Sequence, residues 1–316
     1  MNKKSQYLFD FNNKNDSLIN IQFNMKHLIK LLRPHQWLKN LFVFLPLFFS
    51  RHLLDLDYII PTTIAFIAYN FAASSIYCFN DINDVESDRK HPTKKDRPIA
   101  SGNISKKQAY ILMIFLLLLS IEIILIYLSK NNYNVLTIIL SYYALNILYT
   151  KILKNIPIID VFIVAFGFVL RLFVGGACTH IWISHWIVLM TFLLALFLSF
   201  AKRRDDMVIF NSTGVVTGHN VNSYSFEFVN ETISILASIT RVCYIMYTVS
   251  EEVIARMNSS NLYITSIFVL AGIVRYLQIT IVDKKSGSPT KVLLKDRFLH
   301  VCIGGWMITF FIILYT

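Results

Sequence analysis

The stretch from residue 108 to residue 129, QAYILMIFLLLLSIEIILIYLS, decides the fold of this chain. It carries a single charged residue, Glu122, and it is long enough to cross the apolar core of a lipid bilayer as one helix. Similar stretches recur along the 316 residues, whose mean hydropathy is +0.54. A soluble domain of this length would be less apolar and more charged. The sequence therefore predicts an all-α, polytopic membrane protein embedded in a lipid bilayer.

Nine membrane-spanning helices are predicted from the apolar blocks of the sequence. They cover 36–50, 58–80, 108–129, 134–151, 157–177, 183–201, 231–251, 261–281 and 298–316. The first block is short and contains Pro46, so we expect that span to be tilted or broken. Residues 1–25 are polar and lack the apolar core of a signal peptide. The sequence predicts a flexible cytoplasmic N-terminus there, followed by one transmembrane domain, 26–316.

Positive charges give the orientation of the predicted spans. Of the 30 lysines and arginines, 24 lie in the N-terminal segment or in the loops that follow spans two, four, six and eight. The opposite loops hold only Arg51, Lys130 and Arg256. Because positive loops stay in the cytoplasm, the N-terminus is predicted inside and the C-terminus outside. These flanking charges also account for the net charge of +11, and without a basic-aromatic module no nucleic-acid partner is predicted.

The end of the second predicted span carries an acidic cluster, which reads NDINDVESDR over residues 80–89. Asp81, Asp84 and Asp88 are spaced i, i+3 and i+7, so one continuous helix would place the three carboxylates on one face. Like charges so close repel each other unless a cation lies among them. Mg²⁺ typically binds through carboxylates together with substrate phosphate oxygens. The spacing therefore predicts a Mg²⁺ or Mn²⁺ clamp for a diphosphate. The neighbouring Asn80 could orient a ligand or donate to a phosphate oxygen.

A basic run follows the acidic cluster at once. It contains Arg89, Lys94, Lys95 and Arg97. Phosphate groups are commonly bound by such side chains. The alternative interpretation is a solvated helix end that leaves the bilayer, but such ends usually carry mixed charges. The acidic run followed by the basic run favours a phosphate-binding site.

The stretch 80–102 resembles the first aspartate-rich motif of the UbiA superfamily of intramembrane prenyltransferases. Its continuation, DRKHPTKKDRPIASG over 88–102, resembles the decaprenyl-phosphate phosphoribosyltransferase branch in particular. Further matching segments are RPHQWLKN at 33–40, FVLR at 168–171, GG at 175–176, KR at 202–203, Tyr224 and SPTKVLLKDR at 288–297. The resemblance covers nearly the whole chain after residue 25. It implies a UbiA-type bundle of nine transmembrane helices that forms a single catalytic domain.

One segment departs from the ubiquinone and menaquinone types of this superfamily. Those members carry a second Asp-x-x-x-Asp motif after span six, where this chain reads Lys202-Arg203-Arg204-Asp205-Asp206. The departure weakens the case for a prenyl diphosphate donor held between two aspartate motifs. It favours an acidic clamp on one side of the site and a basic pocket on the other.

The resemblance implies transfer of a phosphoribosyl group from phosphoribosyl diphosphate to a polyprenyl phosphate, such as decaprenyl phosphate, with release of diphosphate. Mg²⁺ held by the three aspartates would draw off the leaving diphosphate. The residues expected to bind the donor and acceptor are Arg89, Lys94, Arg97, Lys39, Arg171, Lys202, Arg203 and Tyr224. The resemblance also implies a bacterial inner-membrane enzyme whose active site faces the cytoplasm, and it is compatible with a homo-oligomer.

Arg171 lies inside a predicted span, where a charge costs at least ~2.5 kcal/mol on insertion scales. Asp160 precedes it by eleven residues, on nearly the same helix face three turns away. An internal ion pair with Asp160 and a role in substrate binding are therefore both open, and the matching motif favours the functional role.

Two other classes of protein compete with this interpretation. An aromatic prenyltransferase of the same superfamily would move a prenyl group from a prenyl diphosphate, and it predicts a second acidic motif that the sequence lacks. A transporter or a membrane scaffold predicts polar residues near the middle of the membrane, often in broken helices. The acidic and basic residues of this chain instead concentrate at the cytoplasmic ends of the predicted spans.

Overall fold

The computed structural model describes residues 25–91, 93–128, 132–214, 218, 220–284 and 289–315, and within these residues it contains helices and no β-strand. The α-helices are α1 (Met25–Leu32), α2 (Leu45–Phe49), α3 (Leu56–Asn83), α4 (Val85–Lys90), α5 (Lys106–Tyr127), α6 (Asn132–Lys151), α7 (Ile159–Thr179), α8 (His185–Thr213), α9 (Phe226–Val249), α10 (Glu251–Met257), α11 (Ser266–Ile281), α12 (Pro289–Lys295) and α13 (Arg297–Tyr315). Short 3₁₀ helices lie at Pro34–Phe44, Lys94–Asp96, Leu153–Asn155, Val221–Ser223 and Asn261–Thr265. The predicted flexible N-terminus lies outside the described residues, apart from Met25.

Seven of the described helices are long and apolar enough to cross a membrane. They are α3, α5, α7, α8, α9, α13 and α11 with its preceding 3₁₀ turn. These helices confirm an all-α protein with multiple apolar spans. The first predicted span is instead the 3₁₀ helix Pro34–Phe44 followed by the five residues of α2. The remaining predicted span corresponds to α6, whose 20 residues include polar side chains such as Asn134 and Asn146.

Helices α3 and α8 are longer than a bilayer crossing requires. They contain 28 and 29 residues, or about 42–44 Å of helix against an apolar core of about 30 Å. Each begins at a capping residue, Asp55 or Ser184, whose side chain accepts from a backbone N–H two residues on. The predicted span 183–201 was too short, because α8 continues to Thr213. The C-terminal parts of both helices carry charged residues, among them Asp81 in α3 and Lys202 in α8.

Helix α7 lies at the centre of the bundle. It packs against α3, α6, α8 and the 3₁₀ helix Pro34–Phe44. Helices α8, α9, α11 and α13 continue the bundle through successive contacts, and α3 packs against α5 and α6. The bundle closes where Phe48 of α2 stacks on Phe310 of α13, with ring centroids 4.9 Å apart.

A glycine in α7 permits the closest of these contacts. A Cβ atom on Gly175 would lie 1.9 Å from the Val43 carbonyl oxygen and 3.1 Å from Cδ of Pro46. Because the first of these is a backbone atom, no side-chain rotation could relieve the clash. Gly175 therefore lets the 3₁₀ helix Pro34–Phe44, which carries Lys39, lie directly on α7.

Candidate active site

The acidic cluster lies where α3 gives way to α4. The two helices meet at Asp84, whose backbone angles are φ −92° and ψ 5°. The Ser87 hydroxyl donates to the Asp84 carbonyl at 2.8 Å, a contact that often bends helices. The prediction that one continuous helix carries all three aspartates is therefore wrong. Asp81 and Asp88 are buried, and Asp84 is half-buried.

Each carboxylate of the cluster is paired with a cation. Arg97 Nη1 donates to Asp81 Oδ1 at 3.0 Å and to Asp88 Oδ2 at 2.7 Å. Lys154, from the turn after α6, forms an ion pair with Asp84 in which Nζ lies 2.6 Å from Oδ1. Asp81 and Asp88 therefore share one guanidinium group, whereas Asp84 contacts a different cation.

His91 organises the loop between α4 and α5. Its Nδ1 accepts from the backbone N–H groups of Thr93 and Lys94, each at 3.2 Å, which leaves Nε2 to carry the ring proton. Burial, and then the charge of Lys94, lower the pKa of His91, so the ring is neutral at pH 7. Burial also lowers the pKa of Lys94, and Arg97 lowers it further.

Lys39 and Lys202 lie on the basic side of the site. Lys202 is reached by solvent although protein atoms surround it. The charges that act on Lys39 are those of Lys202, Arg171 and Arg33, all of them positive. Within the described residues, Lys39 forms no ion pair with a carboxylate. Such a concentration of positive charge attracts an anion.

Arg203 is held by two carboxylates. Its Nη2 lies 2.6 Å from Asp160 Oδ2, and its Nη1 lies 3.3 Å from Asp206 Oδ2. The Tyr224 hydroxyl donates to Asp160 Oδ1 at 3.3 Å and accepts from the Ile158 N–H at 2.6 Å. Arg203 and Tyr224 therefore support the wall that α7 and α8 form beside the site.

Two predicted site residues have contrasting surroundings. The Asn80 amide oxygen accepts from the Thr150 hydroxyl, which joins α3 to α6 beside the acidic cluster. Arg89 is exposed, and it donates to the Ala100 carbonyl at 3.2 Å and to Glu86 at 3.3 Å. The structure therefore brings Asn80 to the site but leaves Arg89 on the outer side of the loop.

Arg171 lies beneath the site, inside the bundle. Its Cζ is 5.2 Å from the ring centroid of Tyr69 and 5.4 Å from that of Tyr142. Its Nε donates to Asn40 Oδ1 at 2.6 Å. The ion pair considered with Asp160 does not form, because Asp160 pairs with an arginine of the neighbouring helix. Arg171 thus places a positive charge below the site, held mainly by aromatic rings and amide groups.

The acidic cluster provides ligands of the kind that a divalent cation takes. Asp81 Oδ2 is buried and has no hydrogen-bond partner within the described residues. Asp88 contacts the Arg97 guanidinium group that also binds Asp81. Two carboxylates suit Mg²⁺ when phosphate oxygens and water complete its shell. In the part of the chain that the structure describes, no three His, Cys, Asp or Glu side chains converge to hold a metal alone. The residues fit a cation shared with a phosphorylated ligand.

Three charged residues near the site were not predicted from the sequence. Arg33 donates to Asp81, Lys154 pairs with Asp84, and Asp206 acts electrostatically on His91 and Lys94. Arg33 lies in the segment 33–40, which resembles the phosphoribosyltransferase branch, and this resemblance could have identified it. Asp206 ends the Lys-Arg-Arg-Asp-Asp run, and its carboxylate acts on the site without the Asp-x-x-x-Asp spacing. Nothing in the local sequence indicates the pairing of Lys154.

The fold and the site together define an α-helical, polytopic membrane protein that gathers carboxylates and cations at one end of its bundle. The profile of the UbiA prenyltransferase family matches residues 41–302 of this chain. The chain belongs to the UbiA prenyltransferase family.

Comparison with individual proteins supports the same assignment. The decaprenyl-phosphate phosphoribosyltransferase of Mycolicibacterium smegmatis is 32% identical over 290 residues, which cover 89% of this chain and 90% of that protein. Its counterpart from Corynebacterium glutamicum is 31% identical over 282 residues, or 89% of this chain and 84% of that protein. A solved UbiA homolog from Archaeoglobus fulgidus, bound to GPP and Mg²⁺, has a TM-score of 0.65 at 18% identity and covers 92% of this chain and 100% of its own. Identity this low shows the fold alone, whereas the first two comparisons confirm the resemblance to the phosphoribosyltransferase branch.

Proposed function

We propose that this protein transfers the 5-phosphoribosyl group of phosphoribosyl diphosphate to a polyprenyl phosphate and releases diphosphate. The observation that carries the proposal is the similarity over nearly the whole chain to two decaprenyl-phosphate phosphoribosyltransferases. The charges of the site support it, because the donor and acceptor together bring three phosphate-bearing positions to one end of the bundle. The cations Lys39, Lys94, Arg97 and Lys202 are more than one diphosphate requires.

In the proposed reaction, an oxygen of the acceptor phosphate attacks C1 of the ribose. The bond from C1 to the diphosphate oxygen breaks, and its electron pair leaves with the diphosphate. Because the acceptor phosphate is largely ionised at neutral pH, the step needs no strong general base. Arg97 and Lys94 would bind the donor's diphosphate, while Lys39 and Lys202 would bind the lipid phosphate and keep the two anions apart.

Asp81 and Asp88 would hold the divalent cation, with Asp84 contributing once Lys154 moves to a phosphate oxygen. A bound Mg²⁺ or Mn²⁺ would neutralise charge on the leaving diphosphate. Arg97 has two roles on this proposal. It pairs with Asp81 and Asp88 in the structure described here, and it would turn to the donor's phosphates when a cation takes the carboxylates.

The proposal also assigns a place in the membrane. We infer nine crossings, in which α6 and the 3₁₀ helix with α2 complete the seven apolar helices. The 20 residues of α6 span about 30 Å, which is sufficient for one crossing. The positive loops favour the cytoplasmic side for the acidic cluster. We propose that the membrane is a bacterial inner membrane and that the isoprenoid tail would lie in the bilayer beside the bundle.

The deciding experiment supplies purified protein with each donor and each acceptor in turn. Radiolabelled phosphoribosyl diphosphate or a labelled prenyl diphosphate is combined with polyprenyl phosphate or 4-hydroxybenzoate in the presence of Mg²⁺. We expect label from phosphoribosyl diphosphate in the lipid phase only when polyprenyl phosphate is present. A prenylated aromatic product without any phosphoribosylated lipid would overturn the proposal and favour an aromatic prenyltransferase.

A further inference from the structure

A charged recess lies on the opposite side of α8 from the carboxylate site. It has a volume of about 500 Å³ and opens where α8, α9 and the end of α11 meet. Arg204, Phe226 and Lys284 contribute to its lining. Each residue of an α-helix turns about 100° around the axis, so Arg204 points away from Lys202 and Asp206, which are two positions before and after it. The recess is therefore distinct from the site already described.

Arg204 is buried in the wall of this recess, with 5% of the residue exposed. Its Nε donates to Asn230 Oδ1 at 2.6 Å and its Nη1 donates to the Thr280 carbonyl at 2.6 Å. Its Nη2 makes a longer contact, 3.4 Å, with the Ile281 carbonyl. Its Cζ lies 5.9 Å from the ring centroid of Phe226. A guanidinium group has five N–H donors, so these contacts leave two N–H groups for a ligand.

No ion pair compensates the charge of Arg204. Among the described residues, no carboxylate lies within ion-pair distance of Arg204 or of Lys284. Asp205 exerts a favourable charge–charge interaction on Arg204, but it lies about 100° away around the helix. Lys284 is exposed at the rim and adds a second positive charge. Because a buried cation is costly without a counter-charge, the recess is suited to an anion.

We propose that this recess binds a phosphate group, carried either by a phospholipid head group or by a small soluble molecule. The guanidinium of Arg204 can contact two phosphate oxygens in a bidentate arrangement, and Lys284 adds a point charge. Asn211 and Ser212 supply polar side chains in the same lining, and Phe226 supplies an apolar surface. The proposal does not depend on the transfer reaction, because none of these residues belongs to the site proposed for it.

The test uses the full-length protein, purified in detergent and stripped of lipid. The probes are phosphatidylglycerol, glycerol 1-phosphate and inorganic phosphate, and binding is measured by titration with native mass spectrometry. The variants at the recess are Arg204→Gln, Arg204→Lys and Lys284→Gln. One control is Arg241→Gln. Among the described residues, Arg241 has no carboxylate partner and its hydrogen bonds stay within α9. The other control, Lys39→Gln, reports any probe that binds in the carboxylate site instead.

We expect Arg204→Gln to weaken binding about tenfold or more, since hydrogen bonds to charged groups contribute about 1.5–3 kcal/mol. Arg204→Lys and Lys284→Gln should have smaller effects, Arg241→Gln should bind like the wild type, and Lys39→Gln should keep the binding that Arg204→Gln loses. Binding of phosphatidylglycerol alone identifies a lipid head group, whereas equal binding of glycerol 1-phosphate identifies a soluble source. If Arg204→Gln does not fold, Lys284→Gln tests the proposal instead, because Lys284 is exposed and its substitution should leave the fold intact. Unchanged affinity in every recess variant, or a loss only in Lys39→Gln, would overturn the proposal.

Discussion

Arg203 of α8 and Asp160 of α7 form a buried ion pair, with 2.6 Å between Nη2 and Oδ2 and with side chains 8% and 0% exposed. Removing Asp160 would leave Arg203 with only the longer ion pair to Asp206, at 3.3 Å, and breaking a buried pair costs about 3–5 kcal/mol. We therefore expect Asp160→Ala to destabilise the protein strongly and the double variant Asp160→Ala/Arg203→Met to regain part of that loss. Unfolding of the purified protein in detergent would measure both effects.

A matched control for that pair is Glu252→Ala, which breaks the more exposed pair with Arg256. Exposed ion pairs contribute little to stability, so its effect should be much smaller. Equal losses from Asp160→Ala and Glu252→Ala would show that the pair between α7 and α8 has no special structural role.

The orientation in the membrane can be tested by labelling cysteines from outside intact cells. We expect Lys94→Cys to resist an impermeant thiol reagent and Ser260→Cys, at the other end of the bundle, to react. The background variant should carry Cys243→Ser, because Cys78, Cys178 and Cys302 are buried whereas Cys243 is partly exposed. Efficient labelling at position 94 would reverse the proposed topology.

Dependence on a divalent cation should follow the acidic cluster. We expect Asp81→Asn and Asp84→Asn to lose most activity and to bind Mn²⁺ more weakly in the presence of donor, while the protein still inserts and folds. Glu86→Gln is the matched control, because Glu86 is exposed and contacts only Arg89 among the described side chains. Full activity of both asparagine variants, or full activity of the wild type in excess chelator, would remove the cation from the proposed reaction.

Two substitutions of Arg97 should separate the contribution of its planar shape to donor binding from the contribution of its positive charge. Arg97→Ala removes both, whereas Arg97→Lys keeps the charge and loses the planar group that can contact two oxygens. We expect the alanine variant to raise the KM for donor about tenfold or more and the lysine variant to raise it less. Lys95→Ala, an exposed change in the same loop, should leave KM unchanged. Identical KM values for the alanine variant and the wild type would exclude Arg97 from donor binding.

The contact between the 3₁₀ helix and α7 predicts a strict requirement for glycine. We expect Gly175→Ala to destabilise the protein by about 1–3 kcal/mol, the usual range for overpacking, because the new Cβ would meet the Val43 carbonyl. Gly304→Ala, in α13, is the control, since within the described residues no atom outside its own helix backbone lies within 4 Å of its added Cβ. Its expected effect is neutral or slightly stabilising, because alanine favours the helix. Equal melting temperatures for the two variants would contradict this packing.

The spans could be predicted because hydropathy is a local property of the sequence. The apolar block at 108–129 predicts a helix without any knowledge of its neighbours, and α5 occupies nearly the same residues. The acidic cluster could also be recognised as a candidate site, because its composition and its resemblance to a family are visible in the sequence. The bend at Asp84 was not predicted from the sequence. It coincides with a hydrogen bond from the Ser87 hydroxyl to the Asp84 carbonyl, and such bonds compete with the regular helix.

Ion-pair partners could not be predicted because they depend on how helices pack. The periodicity of α7 alone places Asp160 and Arg171 on nearly the same face, yet Asp160 pairs with Arg203 of α8. Arg171 instead lies among aromatic rings from α3 and α6, which are distant in sequence. The same reasoning applies to Lys154, whose contact with Asp84 spans 70 positions along the chain.

The length of α3 and α8 has a consequence for how reactants reach the proposed enzyme. On the proposed topology their charged ends would lie beyond the apolar layer, so a water-soluble donor would arrive by diffusion in three dimensions. The lipid acceptor would arrive by diffusion within the plane of the bilayer. Its effective concentration is then its mole fraction among the surrounding lipids. Added detergent should therefore slow the reaction by surface dilution, even when the bulk concentrations of both reactants stay constant.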